Sequence, residues 1–555
     1  MNFHLTLERS SRIGLLLAAL GLAALTFGQW STDPATPMAV TSASTQVGNW
    51  QSFSDGGTGW YVFWCDGRTD PQKRQLYGQR FDSTGTALWE AGGTHLLTLP
   101  GCSVNILAGL CVAGGDVILC VGSSATTTYA ADTMRAYRFD AYGAPVWAAP
   151  TLLSVNGPGI FGNCWSFDTP QAVPCGDGAW FCYRGDSQAS NGYYVTSRVR
   201  NDGSAAFPVP GKKVPNNAGY GPFQALADGA GGLVVSWRCG NGAGTCHYAT
   251  RMDSTGTAVW PAVLNLAAGG AGLSYAFNTI ADSTGAFVSI WEESANLGMQ
   301  RFDTMGDPLW PVPFYACTAP SGQANPAPLI SNGKLMVAWR DDRNIGLGVQ
   351  GLYLQRYDLT TGAAELETDG VLLWEENVYV PTPRLVPSLN GGAIGIMDFT
   401  GASKYCALRV DHDGLPLWTD PTSFATANGP FYGDRMEMPD GTGGVVSFWK
   451  TSGDGLYGAR IYPDGSLGDH TGMAENDIQQ HLLLYPVPAT GLLTVEAHTI
   501  LHALRITSLD GRTCLEQGVR AQGRATVDVG SLTPGCYLIE AWTDRGRMVQ
   551  RFTKQ

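Results

Sequence analysis

The chain reads as an all-β protein, an eight-bladed β-propeller followed by a small β-sandwich. Three observations predict it. A phrase of Arg, an apolar residue, Asp, a Gly turn and then Trp recurs along most of the 555 residues. A second phrase, a Gly turn and an apolar run often ending in Trp, precedes each copy. The composition holds 72 Gly and 31 Pro beside 17 Trp, the mixture that many short strands and tight turns require. With 44% hydrophobic residues the chain has ample material for a core and is not of disordered type.

The clearest copies of the first phrase are Arg80-Phe81-Asp82 with Trp89, Arg138-Phe139-Asp140 with Trp147, and Arg251-Met252-Asp253 with Trp260. Arg301-Phe302-Asp303 with Trp310 and Arg409-Val410-Asp411 with Trp418 complete the strong set. Degraded copies start at Arg198, Arg356 and Arg460, so successive Arg residues lie 58, 60, 53, 50, 55, 53 and 51 positions apart. Each period has room for four strands. In the fourth unit these are Phe223 to Ala227, Leu233 to Trp237, Tyr248 to Met252 and Ala258 to Leu266. Asp-Gly and Ser-Thr-Gly turns join the first to the second and the third to the fourth. One four-stranded unit cannot cover both of its faces, so neighbours must cover them, and repetition closes the ring. The Trp residues are expected between blades and the Asp residues in turns.

The eighth unit has three strands and then Gly465-Ser466-Leu467-Gly468 with no Trp strand. The segment Pro37 to Ser42 is expected to supply the fourth and lock first to last. These repeats resemble those of NHL-like and related propellers of secreted bacterial proteins, a likeness of rhythm only.

Export is legible at both ends. His4, Arg9 and Arg12 precede the apolar run Ile13 to Phe27, the pattern of a secretory signal peptide with cleavage after Gly28. Residues 1–28 are therefore the signal peptide, 35–467 the propeller, 468–481 a polar linker and 482–555 the C-terminal unit. No later run is long and apolar enough to span a membrane, so the mature chain is expected to carry no transmembrane segment. The tail contains Tyr485-Pro486-Val487-Pro488, Asp510-Gly511, then Leu532, Gly535 and Tyr537, and a basic end with Lys554. It resembles the type A C-terminal sorting domain of the type IX secretion system, with Val in place of the usual Asn in the opening motif. The resemblance implies an Ig-like seven-stranded sandwich, passage through the outer membrane by the type IX machinery, and a secreted or cell-surface product. Taken alone, these residues are short alternating strands that also suit a carbohydrate-binding or spacer sandwich.

Thirteen Cys fit an oxidising destination. Cys239 with Cys246, and Cys514 with Cys536, are the disulfide candidates. The formal charge of −13 and the lack of a basic block exclude nucleic acid as a partner class. No Gly-x-Ser-x-Gly elbow, phosphate loop or His-Glu-x-x-His occurs, and Asp411-His412-Asp413-Gly414 lacks the remainder of a calcium loop. No catalytic residue, metal or cofactor is expected. Loops two–three and four–one vary, whereas turns one–two and three–four repeat, so the variable end is the expected working face. Its two–three loops carry Asp66, Arg68, Glu292, Asp341, Arg343, Asp398 and Lys450. Trp165, Tyr220, Arg238, Tyr315, Arg340 and Tyr432 are the leading ligand contacts, with aromatic rings for stacking a glycan or gripping a protein. The expected function is a non-catalytic exported propeller that binds a polysaccharide, protein or surface component. A glycoside hydrolase or lyase on the same face, with acids such as Glu292 and Asp341, and a structural surface protein are the alternatives.

Overall fold

The computed structural model describes residues 29–555 apart from 42–46, 71, 126–132, 156–169, 185–192, 216–221, 241–244, 268–272, 283, 377–382, 400–403, 427, 431–433, 469–481, 486, 509–511 and 544–545. The expected signal peptide and most of the expected linker thus lie outside the described residues. Contacts divide the chain into two units, one ending at Asp469 and one starting at His470.

The first unit contains eight four-stranded antiparallel sheets. Seven are runs of consecutive strands, spanning residues 50–97, 103–155, 171–213, 223–265, 273–315, 323–376 and 384–425. The eighth takes Arg435–Pro439, Val445–Lys450 and Leu456–Ile461 from the end of the unit and Met38–Ala39 from its start. Met38 faces Gly458 and Ala39 faces Tyr457. The first strand of each sheet packs against the first strand of the next, and the eighth returns to the first. That makes the first strands the inner wall and the fourth strands the perimeter.

Strand four is shorter than the span expected from the repeat. In the fourth blade it is Leu264–Asn265, and Ala258 makes only an isolated bridge to Met252. Between them Trp260 turns inward and Pro261 removes a ladder donor. Phe314–Tyr315, expected in a loop, is likewise strand four of the fifth blade.

The recurring phrase builds one device at every seam. The Arg of strand three reaches across to a backbone carbonyl in the three–four turn of the next blade. Where Trp follows, its Nε1–H donates to the same oxygen. Arg138 and Trp147 meet at Asn201 O at 2.5 and 2.9 Å, and Arg251 and Trp260 at Thr304 O at 2.8 and 3.0 Å. Arg301 with Trp310 at Leu359 O and Arg409 with Trp418 at Pro463 O repeat it. In six blades the other side of the guanidinium is held by the acid of its own one–two turn, as in Arg80–Asp55 and Arg251–Asp228, whereas Arg356 pairs with Glu365 and Arg409 donates to the Ser388 hydroxyl. The indole lies on a turn glycine that leaves room for it. Gly203 has φ +87°, and a Cβ there would sit 3.0 Å from the Trp147 ring. An L side chain would thus be both strained and clashing.

The eighth seam is completed from the other end of the chain. Trp30 is 2% exposed, and its Nε1–H donates to Ser83 O at 3.1 Å, the same oxygen that Arg460 reaches at 2.7 Å. Its ring packs with Trp60, Phe81 and Phe448, uniting both chain ends of the ring in one core. Trp50 adds a bond to Asp434 at 2.6 Å across the same seam. On the inner wall, side-chain amides stitch neighbouring first strands that share no ladder. Gln171 donates to Phe223 O and accepts from Ala225 N, Gln224 accepts from Thr279 N, and Asn278 donates to Pro326 O.

The second unit is a five-stranded sheet system with its own core, including Leu493, Leu504, Ile506, Val527, Ile539 and Phe552. Seven strands are implied by the family resemblance, and five are described. Leu492–Ser508 and Thr513–Asp528 are long and carry register shifts after Glu496, so each does the work of two shorter strands.

Replacing Trp30 by Ala should lower the stability of the ring by about 3–5 kcal/mol, the usual cost of removing a buried large aromatic. Trp30→Phe should lose less, since Phe207 stands at the corresponding place in the third blade. Denaturant melts of the three proteins check this, and an unchanged midpoint for Trp30→Ala would remove Trp30 from the closure.

Candidate functional site: the rim of the variable end

The residue after the strand-two aromatic occupies the same register in most blades. Trp64, Tyr183, Trp237, Trp291, Trp339 and Trp449 are followed by Cys65, Arg184, Arg238, Glu292, Arg340 and Lys450. Gly122 and Asp398 stand in this register in the second and seventh blades. Alternation along the strand turns the aromatic toward one neighbouring blade and this residue toward the other. A ring of unlike groups thus sits at the upper end of the seams.

Much of it is turned inward. Arg184, Arg238, Glu292 and Asp398 are buried, and Arg340 is half-buried with its guanidinium 3.6 Å from Asp342. Glu292 accepts the backbone N–H of Asn325 in the next blade at 2.5 Å. Beside Arg238, across the ladder, stands His247, which is 2% exposed and meets the Phe277 ring edge-on at 3.9 Å. Burial, and then the charge of Arg238, lower the His247 pKa to about 3, so the imidazole is neutral. Between the seventh and eighth blades Tyr405 OH donates to Glu437 at 3.0 Å, Arg435 pairs with Glu437 and lies 3.9 Å from Asp398, and Arg384 approaches Glu437 at 3.6 Å from the inner wall.

Two of the charged loop pairs form an identical box. Asp66 accepts the Trp64 Nε1–H at 2.8 Å, the Arg68 backbone N–H at 3.0 Å and the Arg68 guanidinium at 2.6 Å, and that guanidinium lies 4.0 Å from the Tyr77 ring centre. Asp341 does the same with Trp339, Arg343 and Tyr353. Both carboxylates are 0% exposed, so Asp66 and Asp341 shape the loop roots and do not face a ligand. Asp341, named with Glu292 as an acid for glycoside cleavage, is spent in this way.

Three of the six expected contacts are described, and they lie on three different blades. Arg238 and Arg340 share the rim register but stand two blades apart. Tyr315 is 47% exposed on the outermost strand of the fifth blade, three strands away from the inner wall. The sequence places this aromatic on a four–one loop, and it lies instead on a strand. Trp165, Tyr220 and Tyr432 lie outside the described residues. At the opposite end, ligand-type atoms of Asp411, His412 and Asp413 fall within 4.8 Å of one another. Asp411 is occupied by the turn amides of Asp413 and Leu415, and Asp413 by Arg356.

In the tail, Gly535 faces Lys554 in the ladder, so the Leu-x-x-Gly-x-Tyr phrase and the basic end meet on adjacent strands. Tyr537 is buried and donates to Thr533 O at 2.8 Å, closing the corner, and Leu532 packs on the core. Tyr485 is exposed, bonds Glu496 at 2.6 Å and stacks under Arg524, and Pro488 is exposed beside it. Pro486, Asp510 and Gly511 lie outside the described residues. Residues 483–555 match the family model of the secretion system C-terminal sorting domain. The tail is a type IX sorting domain. It directs the chain through the type IX machinery to the cell surface or the extracellular space.

Cys514 and Cys536 are free exposed thiols, against expectation. Leu492–Ser508 runs between their strands, pairing with both. Two strand spacings of about 4.8 Å exceed the reach of a disulfide.

No curated protein matches the chain. Solved structures similar to it include a Mycobacterium tuberculosis puromycin-hydrolyzing peptidase, with 16% identity and a TM-score of 0.36 over 77% of this chain and 62% of that one. Prolyl oligopeptidase B from Galerina marginata gives 11% and 0.40 over 76% and 55%, and a Hadza microbial sialidase gives 13% and 0.31 over 61% and 75%. The chain thus spans less than two thirds of the length of the two peptidases. No activity passes from these proteins to this chain. Among the described residues no helix is long and apolar enough to cross a membrane.

His247 sets a pH signature. Unfolded, it takes up a proton near pH 6.5; folded, it does so only near 3. Its contribution is therefore present above pH 6.5 and is lost as pH falls toward 3, at about 1.4 kcal/mol per pH unit. Between pH 6.5 and 5, stability should fall more steeply in the native protein than in His247→Phe. Denaturant titrations at several pH values measure it, and parallel curves would contradict the burial of a neutral imidazole.

Proposed function

We propose that the protein is an exported, non-catalytic propeller that binds a polysaccharide, protein or surface component at the end bearing the two–three and four–one loops. The carrying observation is the contrast between its two ends. At one end the same Arg, Trp and turn-glycine arrangement recurs from seam to seam. At the other, equivalent rim positions hold Cys65, Gly122, Arg184, Arg238, Glu292, Arg340, Asp398 and Lys450. Repetition serves a scaffold, and individual residues on a rigid scaffold serve recognition. The sorting domain supports the setting, because it places the ring where extracellular glycans and proteins are met. Closure through Trp30 and Met38–Ala39 supports a ring that is complete without the tail.

The full chain on a glycan array, with the same polysaccharides assayed for cleavage, tests the reading. Binding without new chain ends is expected, with Arg340→Ala weakening it several-fold and leaving the melting temperature nearly unchanged. Turnover of a bound polysaccharide would replace the reading with an enzymatic one on the same face. Deleting residues 482–555 should trap the protein in the periplasm of its native host. Unchanged delivery outside the cell would show that another element directs export.

A further inference from the structure

Of the cysteines in the described ladders, one pair faces across a sheet. Cys239 stands opposite Cys246 in the second and third strands of the fourth blade. Elsewhere each partner is a different residue, as with Cys65 and Leu76, Cys120 and Ala136, Cys182 and Thr196, Cys406 and Met397, or Cys536 and Thr553. The Arg238 N–H is directed to Pro222 O on the first strand, which turns the next residue's N–H toward the third. Cys239 and Cys246 therefore form a hydrogen-bonded pair, with Cα atoms about 5.5 Å apart. That separation lies at the centre of the range a disulfide spans, roughly 4.4–6.8 Å. Cys246 is half-buried and free in this structure.

We propose that Cys239 and Cys246 are oxidised to a disulfide in the exported protein, pinning the hairpin of the fourth blade at the variable end. The inference rests on the ladder and on export, not on the ligand-binding reading. In the reaction, a thiolate of the pair attacks a sulfur of a disulfide-bearing oxidant and displaces one of the oxidant's thiolates. The second cysteine then attacks the mixed disulfide and releases the other. The pair loses two protons and two electrons, and the oxidant's disulfide becomes two thiols. Two of the four residues between the paired strands, Asn241-Gly242-Ala243-Gly244, are glycines, the residue with the most backbone freedom. The crosslink fixes the root of that loop next to Arg238 and His247, where a fixed rim favours recognition.

The test is peptide mapping of the full chain collected outside the native host and quenched with a thiol-alkylating reagent. Trypsin releases residues 239–251 with both cysteines in one peptide. The expected peptide is unalkylated and two hydrogens lighter than its dithiol form, and it takes up two alkyl groups only after reduction. Alkylation of both cysteines without reduction would overturn the proposal. So would Cys246→Ser protein in which Cys239 remains blocked, because another partner would then hold it. A chain made without residues 1–28 in a reducing cytosol should be alkylated at both, then lose that reactivity on exposure to oxidised glutathione. Persistent reactivity after that exposure would also contradict the facing geometry.

Discussion

One backbone carbonyl per seam organises the ring. It belongs to the three–four turn of each blade and accepts a guanidinium from the preceding blade, in most seams together with an indole N–H. Each component needs the others. In most blades the Arg is held straight by the acid of its own one–two turn, and the turn that offers the oxygen is shaped by Asp, as where Asp253 accepts the amides of Thr255 and Thr257. The indole requires a glycine beneath it. Burial of the Trp is worth about 2–3 kcal/mol by area. Its hydrogen bond adds about 1 kcal/mol net, and direction besides. The repeated gain is small at any one seam and becomes decisive because it closes a circle, in which each blade is held on both sides.

Much of this was legible in the sequence. Arg80-Phe81-Asp82 and its copies carry the turn and the reach, and the spacing of Trp89 or Trp260 behind them marks the interblade position. The missing strand after Arg460 announced that the N-terminus would return. Trp30 carries no such mark, because it stands apart from any repeat phrase and its partners, Ser83 and Arg460, are distant in sequence. The acids Asp228 and Asp440 read as ordinary turn formers. Their second duty, holding Arg251 and Arg460, needs the pairing of strands one to three before it can be seen.

The rim was less legible, for a physical reason. Charge just past a strand looks the same in sequence whether the side chain projects into water or folds under the next blade. Asp66 and Asp341 have the charge of ligand contacts and the surroundings of core residues, since a Trp, an Arg and a Tyr enclose each. His247 belongs to no motif in the sequence and is a neutral packing ring. Tyr315 reads as a loop residue and belongs to a two-residue outer strand, too short for alternation to mark. The tail is the opposite case. Its motif residues coincide with its structural corners, so Gly535, Tyr537 and Lys554 carry both the resemblance and the fold.

The central claim is that the seam closed by Trp30 is equivalent to the seams within the chain. Native-state hydrogen exchange, followed peptide by peptide in rising denaturant, tests it most directly. The claim predicts that amides of the strands at 445–461 and 60–81 open with the same free energy as those at 233–252 and 287–302, in one global event. Opening of the first two sets at markedly lower denaturant, with the others still protected, would contradict it and make the joint a weak point of an otherwise continuous ring.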